Sequence, residues 1–96
     1  MGILVHLYYT GHNGSARAFV NEMETSGTAA QVRREEGCLQ YDYFYSHQDP
    51  ETVLLIEHWK DQAALDLHKG TERMQTILRL GQKYELSKRG ERYQNE

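Results

Sequence analysis

The chain reads as an α+β domain in which a four-stranded antiparallel sheet carries helices on one face. Three patterns predict this. Residues 3–9 and 53–59 are runs of strand formers with apolar side chains on both faces. Residues 38–47 alternate at the two-residue period of a strand, and the segments between these strands repeat their apolar positions at helical spacing.

Ile3-Leu-Val-His-Leu-Tyr-Tyr9 is the first strand, closed by the turn-forming stretch Thr10-Gly11-His12-Asn13-Gly14. Ser15 is placed to cap a helix whose buried stripe is Ala16, Phe19, Val20 and Met23. The pattern weakens at Ser26-Gly27-Thr28, which predicts a break, and resumes through Ala30 and Val32 to Glu36, with Gly37 at the C′ position. The second strand follows, with Leu39, Tyr41, Tyr43 and Tyr45 on one face and Gln40, Asp42, Phe44 and Ser46 on the other. A turn around the only proline, His47 to Glu51, leads into the third strand, Val53 to Trp59. Asp61 is a natural cap for a helix over 62–69 that puts Ala64, Leu65 and His68 on one face, and Gly70 closes it. A further helix from Thr71 carries Met74, Ile77 and Leu78 and is expected to end near Gly81. The last strand, Tyr84 to Tyr93, has weaker alternation, and Gly90 suggests a bulge.

That order is the ferredoxin-like βαββαβ plan. No linker, repeat or low-complexity segment interrupts it, so residues 1–96 are expected to form one domain, with 94–96 a disordered tail. Helices on one face leave the other sheet face bare, and apolar residues there call for a second cover, most economically a second copy of the chain.

Composition narrows the function classes. A net charge of -3, from 11 Lys and Arg against 14 Asp and Glu, with no basic run, argues against nucleic acid as a partner. The sheet of an RNA binder would interleave basic residues with exposed aromatics, and Val53 to Trp59 holds no Lys or Arg. A membrane partner is not expected, because no apolar run approaches the roughly 20 residues of a membrane span. The single Cys38 and the absence of a secretory leader point to a reducing, cytoplasmic setting.

The sequence Glu36-Gly37-Cys38-Leu39-x-Tyr41, then Asp49-Pro50-Glu51, Glu57-x-Trp59-x-Asp61 and Ala64-Leu65-x-x-His68, closely resembles the antibiotic-biosynthesis-monooxygenase family over most of residues 3–80. The resemblance implies a homodimer whose two sheets pack into a shared α/β barrel, each subunit holding a pocket between sheet and helices. It also implies one of several chemistries, among them cofactor-free oxygenation of quinols and phenols, isomerisation of a signalling sugar derivative and haem degradation. The last fits poorly, since its pattern needs a ligating His in the following helix and Met74 to Leu80 contains none.

Oxygenation without flavin or metal, with molecular oxygen as co-substrate, requires a base that turns an electron-rich phenol into an anion able to pass an electron to oxygen. His68 is the candidate, because its helical face is shared with Ala64 and Leu65 and faces the sheet; alternatively it is a structural histidine near a helix C-terminus. Trp59 is either a stacking surface for a planar substrate or core. Glu57 lies in an apolar strand and needs a partner: a substrate hydroxyl, an Arg or backbone amides. Tyr41, Tyr43 and Tyr45 suit a phenol-binding wall and a dimer interface equally. Leu65 completes the expected substrate-binding set. His6 and His58 read as structural or exposed, the five histidines lack metal-ligand spacing, and Cys38 has no neighbouring base to make it a nucleophile. An isomerase of a small hydroxyketone, or a dimer that binds a small molecule without changing it, would use the same pocket.

Overall fold

The computed structural model describes residues 2–94. The element order is β1 (Ile3–Thr10), α1 (Ser15–Thr25), α2 (Thr28–Arg33), β2 (Cys38–Tyr45), β3 (Thr52–Trp59), α3 (Gln62–Lys69), α4 (Glu72–Lys83) and β4 (Ser87–Gln94). The strands form one sheet in the order β2-β3-β1-β4, every neighbour antiparallel. This is the α+β ferredoxin-like arrangement that the strand and helix patterns predict.

The two strands that read as apolar on both faces, β1 and β3, are the central pair. Along β3, Val53, Leu55, Glu57 and Trp59 are buried under the helices, while Leu54, Ile56 and His58 on the opposite face are only half-buried. Phe19, Met23 and Val32 from α1 and α2, and Leu65, Ile77 and Leu80 from α3 and α4, complete the core. Burying an aliphatic or aromatic side chain of this kind stabilises by about 1.5–3 kcal/mol, and this single layer between helices and sheet is where the chain collects most of it.

Several local expectations are corrected. Gly14 caps α1 in the left-handed conformation, and Ser15 is the first helical residue; its hydroxyl turns back to accept the His12 N–H at 3.0 Å. The break at Gly27 is present, with Gly27 in the left-handed region starting α2. α2 stops at Arg33 rather than Glu36, and residues 34–37 form a turn in which Cys38 N–H bonds Glu35 O at 3.1 Å. A register shift between Cys38 and Gln40 breaks the alternation of β2, so Leu39 leaves the tyrosine row and is 59% exposed. α4 runs past Gly81 to Lys83, because a helical glycine costs only about 1 kcal/mol and neighbouring turns carry it. Leu78 is exposed, with Leu80 taking the buried position beside Ile77. β4 begins at Ser87, and Gly90 pairs in regular register with Leu7 without a bulge. The backbone of Gln94 belongs to β4; the rest of the expected tail, residues 95–96, lies outside the described residues.

The Asp61 cap forms as expected, its side chain accepting the Ala64 N–H, and Thr71, where the next helix was expected to begin, caps α4 by accepting the Met74 N–H. The turn at Asp49 is closed by the Asp49 carboxylate, which accepts the Glu51 N–H and the Thr52 hydroxyl. Both contacts hold that carboxyl below its ordinary range.

Candidate functional site

Alternation along the strands decides which side chains face α3 and α4. Val5 and Leu7 of β1, Glu57 of β3, and Lys88, Gly90 and Arg92 of β4 share the helix-side face, since Val5 pairs with both Glu57 and Arg92 and Leu7 pairs with Gly90. With Leu65, His68 and Lys69 of α3 and Met74 of α4, these residues enclose a cavity of about 290 Å³. Its walls are Val5, Leu7, Leu65, Met74 and the bare backbone of Gly90, and its buried polar groups are His68 and Glu57.

His68 is 3% exposed and is fixed on three sides. Its ring stacks on Trp59 with centroids 4.7 Å apart. Its Nδ1 faces the Glu35 carboxylate, 3.0 Å from Oε1 and 3.2 Å from Oε2, and Arg73 Nε donates to the same carboxylate at 2.9 Å. Nε2 lies 3.9 Å from Glu57 Oε1. A carboxylate on Nδ1 selects the tautomer that carries its proton there and leaves the Nε2 lone pair for other work. Glu35 and Arg73 were not anticipated from the sequence.

Glu57 is 6% exposed and accepts the Trp59 indole N–H at 3.0 Å. Among the described residues, neither an arginine nor a backbone amide supplies its partner. Burial pushes its carboxyl above the ordinary carboxylate range, against the opposing pull of the indole N–H, of the neighbouring His68 and of the Lys88 and Lys69 ammonium groups. Glu57 and His68 thus stand as two adjacent buried titratable groups lining one cavity.

The turn before β2 brings Glu35 to His68. Gly37, at φ +83°, packs so tightly on α3 that a Cβ there would stand 2.4 Å from Ala64 Cβ, and its carbonyl accepts the Lys60 N–H at 2.8 Å. Glycine is required on both counts.

The remaining expected site residues are placed as follows. His68, Glu57 and Leu65 meet at the cavity, whereas Trp59, Tyr41 and Tyr43 are not among the residues lining it. Trp59 is fully buried behind His68, and Tyr41 is 2% exposed with its ring against His68 and Tyr43. Burial pushes the Tyr41 and Tyr43 hydroxyls upward, which keeps both neutral. Tyr45, half exposed, holds Arg17 over its ring, 4.3 Å from the centroid. His6 packs edge-on against Tyr93 and His58 lies half-buried on the face away from the helices. Burial, with Glu35 and Glu57 nearby, raises the Cys38 thiol to about 11, which makes it a poor nucleophile. Among the described residues, no three His, Cys, Asp or Glu side chains are arranged to hold a metal ion, and no helix is long and apolar enough to cross a membrane.

Residues 2–80 match the family model described as antibiotic biosynthesis monooxygenase. The Bacillus subtilis protein YcnE, provisionally named a monooxygenase, is 34% identical over 58 residues; the match spans 60% of this chain and 61% of YcnE's own length. The crystal structure of PA3566 from Pseudomonas aeruginosa superposes with a TM-score of 0.78 at 30% identity, over 98% of this chain and 93% of that one. SnoaB, a cofactor-independent oxygenase from Streptomyces nogalater, superposes with a TM-score of 0.81 over 98% of this chain and 92% of its own, at 14% identity, a likeness of fold.

Proposed function

Because the chain belongs to the antibiotic biosynthesis monooxygenase family, we propose that it is a cofactor-independent monooxygenase of small quinol-like or phenolic substrates, with His68 as the base. The supporting observation is a buried imidazole, tethered at Nδ1 by Glu35, that borders a mostly apolar cavity of about 290 Å³. A phenol seated against Leu65 and Met74 gives its proton to His68 Nε2, and the low-polarity walls keep water from competing for it. The resulting anion passes one electron to molecular oxygen, and the radical pair so formed combines at an activated ring carbon. At a methylene conjugated to the phenol, one oxygen atom ends as a carbonyl and the other leaves as water. The four electrons come from the substrate, so no external reductant enters.

Glu57 supports the base, with its Oε1 3.9 Å from His68 Nε2 and held by the Trp59 indole N–H. Trp59 supports the imidazole by stacking, and Tyr41 and Tyr43 shape the site from behind it. A second reading, isomerisation of a small hydroxyketone, is favoured by this adjacency, because an isomerase must take a proton at one atom and return it at another. A ligand-binding role without turnover would need the cavity but not the pair.

Oxygen uptake by metal-stripped protein, with hydroquinones and anthrone-like phenols and corrected for spontaneous oxidation, tests the proposal. His68→Ala is expected to lower turnover by about a hundredfold or more. Turnover indifferent to that substitution removes His68 as the base. No uptake beside an active anaerobic isomerisation replaces the reaction.

The same reading makes the working unit a homodimer. The sheet face away from the helices carries half-buried Leu4, Tyr8, Leu54 and Ile56, together with Phe44 at 44% exposure, an apolar surface that a second copy can cover. Sedimentation is expected to show a dimer, and a monomer at every concentration overturns the shared barrel. With a lone, protonated thiol at Cys38, the protein suits the reducing cytoplasm.

A further inference from the structure

We propose that the cavity takes an anionic ligand: a one- or two-ring molecule whose carboxylate or phosphate is held at the mouth by Lys69, Lys88 and Arg92. The inference rests on the reading of this cavity as a substrate site and adds the chemical class of the substrate.

Three cations from two elements line the one cavity. Lys69 ends α3, while Lys88 and Arg92 stand on β4 opposite Tyr9 and Val5, on the face turned to the helices. All three are exposed, whereas His68 and Glu57 are buried. Positive charge therefore rings the opening, and the proton-handling pair sits at the floor.

Existing contacts leave this charge available. Among the described residues, neither lysine has a side-chain ion pair, and Arg92 reaches only the neutral amide oxygen of Gln62. Two carboxylates are near. Glu91 also borders the cavity, but it already accepts from Arg89 and from the Tyr93 hydroxyl, each at 3.2 Å. Glu57 lies below the lysines, and burial favours its neutral form. One carboxyl of that kind does not balance three cations, and the excess appears in a chain whose net charge is -3.

The strand between two of the cations carries no side chain at its midpoint, and Leu7 packs close beside it. Gly90 stands between Lys88 and Arg92 on the cavity face, where an added Cβ would lie 3.1 Å from Leu7 Cδ2. A flat ring can lie against Leu7 and the exposed Gly90 backbone, with its anionic substituent between the flanking cations and its hydroxyl directed toward His68. A cavity of about 290 Å³ fits one or two rings.

Calorimetric titration without oxygen, using the full chain, tests this with four probes: gentisate, which is a hydroquinone bearing a carboxylate, its neutral amide gentisamide, benzoate and phenyl phosphate. Gentisate is expected to bind roughly tenfold tighter than gentisamide, with the advantage shrinking as salt rises. The Lys69→Gln and Lys88→Gln double variant is expected to bring the acid down to the level of the amide. Lys60→Gln, which removes one charge away from this cavity, is expected to keep the preference. Melting curves of these exposed-site variants confirm that the fold is intact. Equal binding of gentisate and gentisamide overturns the anion proposal and leaves the phenol reading standing. If neither hydroquinone binds but benzoate or phenyl phosphate does, with lysine dependence, the anion site stands and the phenol reading falls. The tighter of these two assigns carboxylate or phosphate. Binding of none of the four overturns both.

Discussion

The two ends of the helix-covered sheet face share β1 yet are filled differently. Beneath α1, Phe19 packs on Tyr9 with ring centroids 5.0 Å apart and meets Tyr43 edge-on at 6.2 Å, so aromatic rings occupy the space between the layers. Beneath α3 and α4, the same face presents Val5, Leu7 and Gly90, and a cavity of about 290 Å³ remains. Both ends have a helical roof. Side-chain size on the strands, rather than a missing element, makes the site.

The strongest way to break this contrast is Phe19→Ala, which opens the sealed end. Removing a fully buried aromatic side chain is expected to cost about 3–5 kcal/mol in urea unfolding. A loss below about 1 kcal/mol would mean that the two ends are packed alike. Next comes Gly37→Ala, expected to cost about 2 kcal/mol, because a Cβ meets the left-handed backbone penalty and collides with Ala64. The imidazole resonances of His68 in proton NMR should move with it, since Gly37 sets the turn that presents Glu35; unchanged resonances would separate that turn from the site.

The smallest effect sharpens the electrostatic side of the contrast. Burial raises the Glu57 carboxyl, so the native state keeps this proton to higher pH than the unfolded chain does. Its contribution is then fully present below the ordinary value of 4.5 and is lost as pH rises through the raised one. Glu57→Gln, which retains an oxygen for the Trp59 indole, is expected to gain about 1 kcal/mol over the parent near pH 8 and nothing near pH 4. Thermal melts across that range decide it, and a gain independent of pH would contradict the assignment.

Local signals carried most of the fold. Asp61 and Thr71 mark the starts of α3 and α4 through side chains that bond within their own first turns, and the double-sided apolar runs identify β1 and β3 as the central strands. What escaped was non-local. Leu39 reads as part of the tyrosine row, and only pairing against β3 displaces it. Gly90 resembles a bulge until Leu7 is placed opposite. At the site, His68 was legible as a histidine on an apolar helix face and Glu57 as a carboxylate in an apolar strand that needs a partner. Glu35 sits in the polar run Arg34-Glu35-Glu36 and looks like solvent-facing surface, though it lies 33 residues before the imidazole it holds. The available signal was the unmet need of His68 for a carboxylate, which names a residue type and no position.

The strand that carries Lys88, Gly90 and Arg92 has a consequence for how such a protein diversifies. The family model covers residues 2–80, which hold Glu35, Glu57, His68 and Lys69, and stops short of β4, the edge strand that holds Lys88, Gly90 and Arg92. An edge strand pairs on one side only, and the exposed Lys88 and Arg92 can be exchanged without repacking the core. On the reading proposed above, two of the three cations that select the ligand lie on a different stretch of chain from His68 and Glu57. Grafting residues 87–94 between homologues becomes a way to redirect which molecules enter while leaving the chemistry beneath them in place.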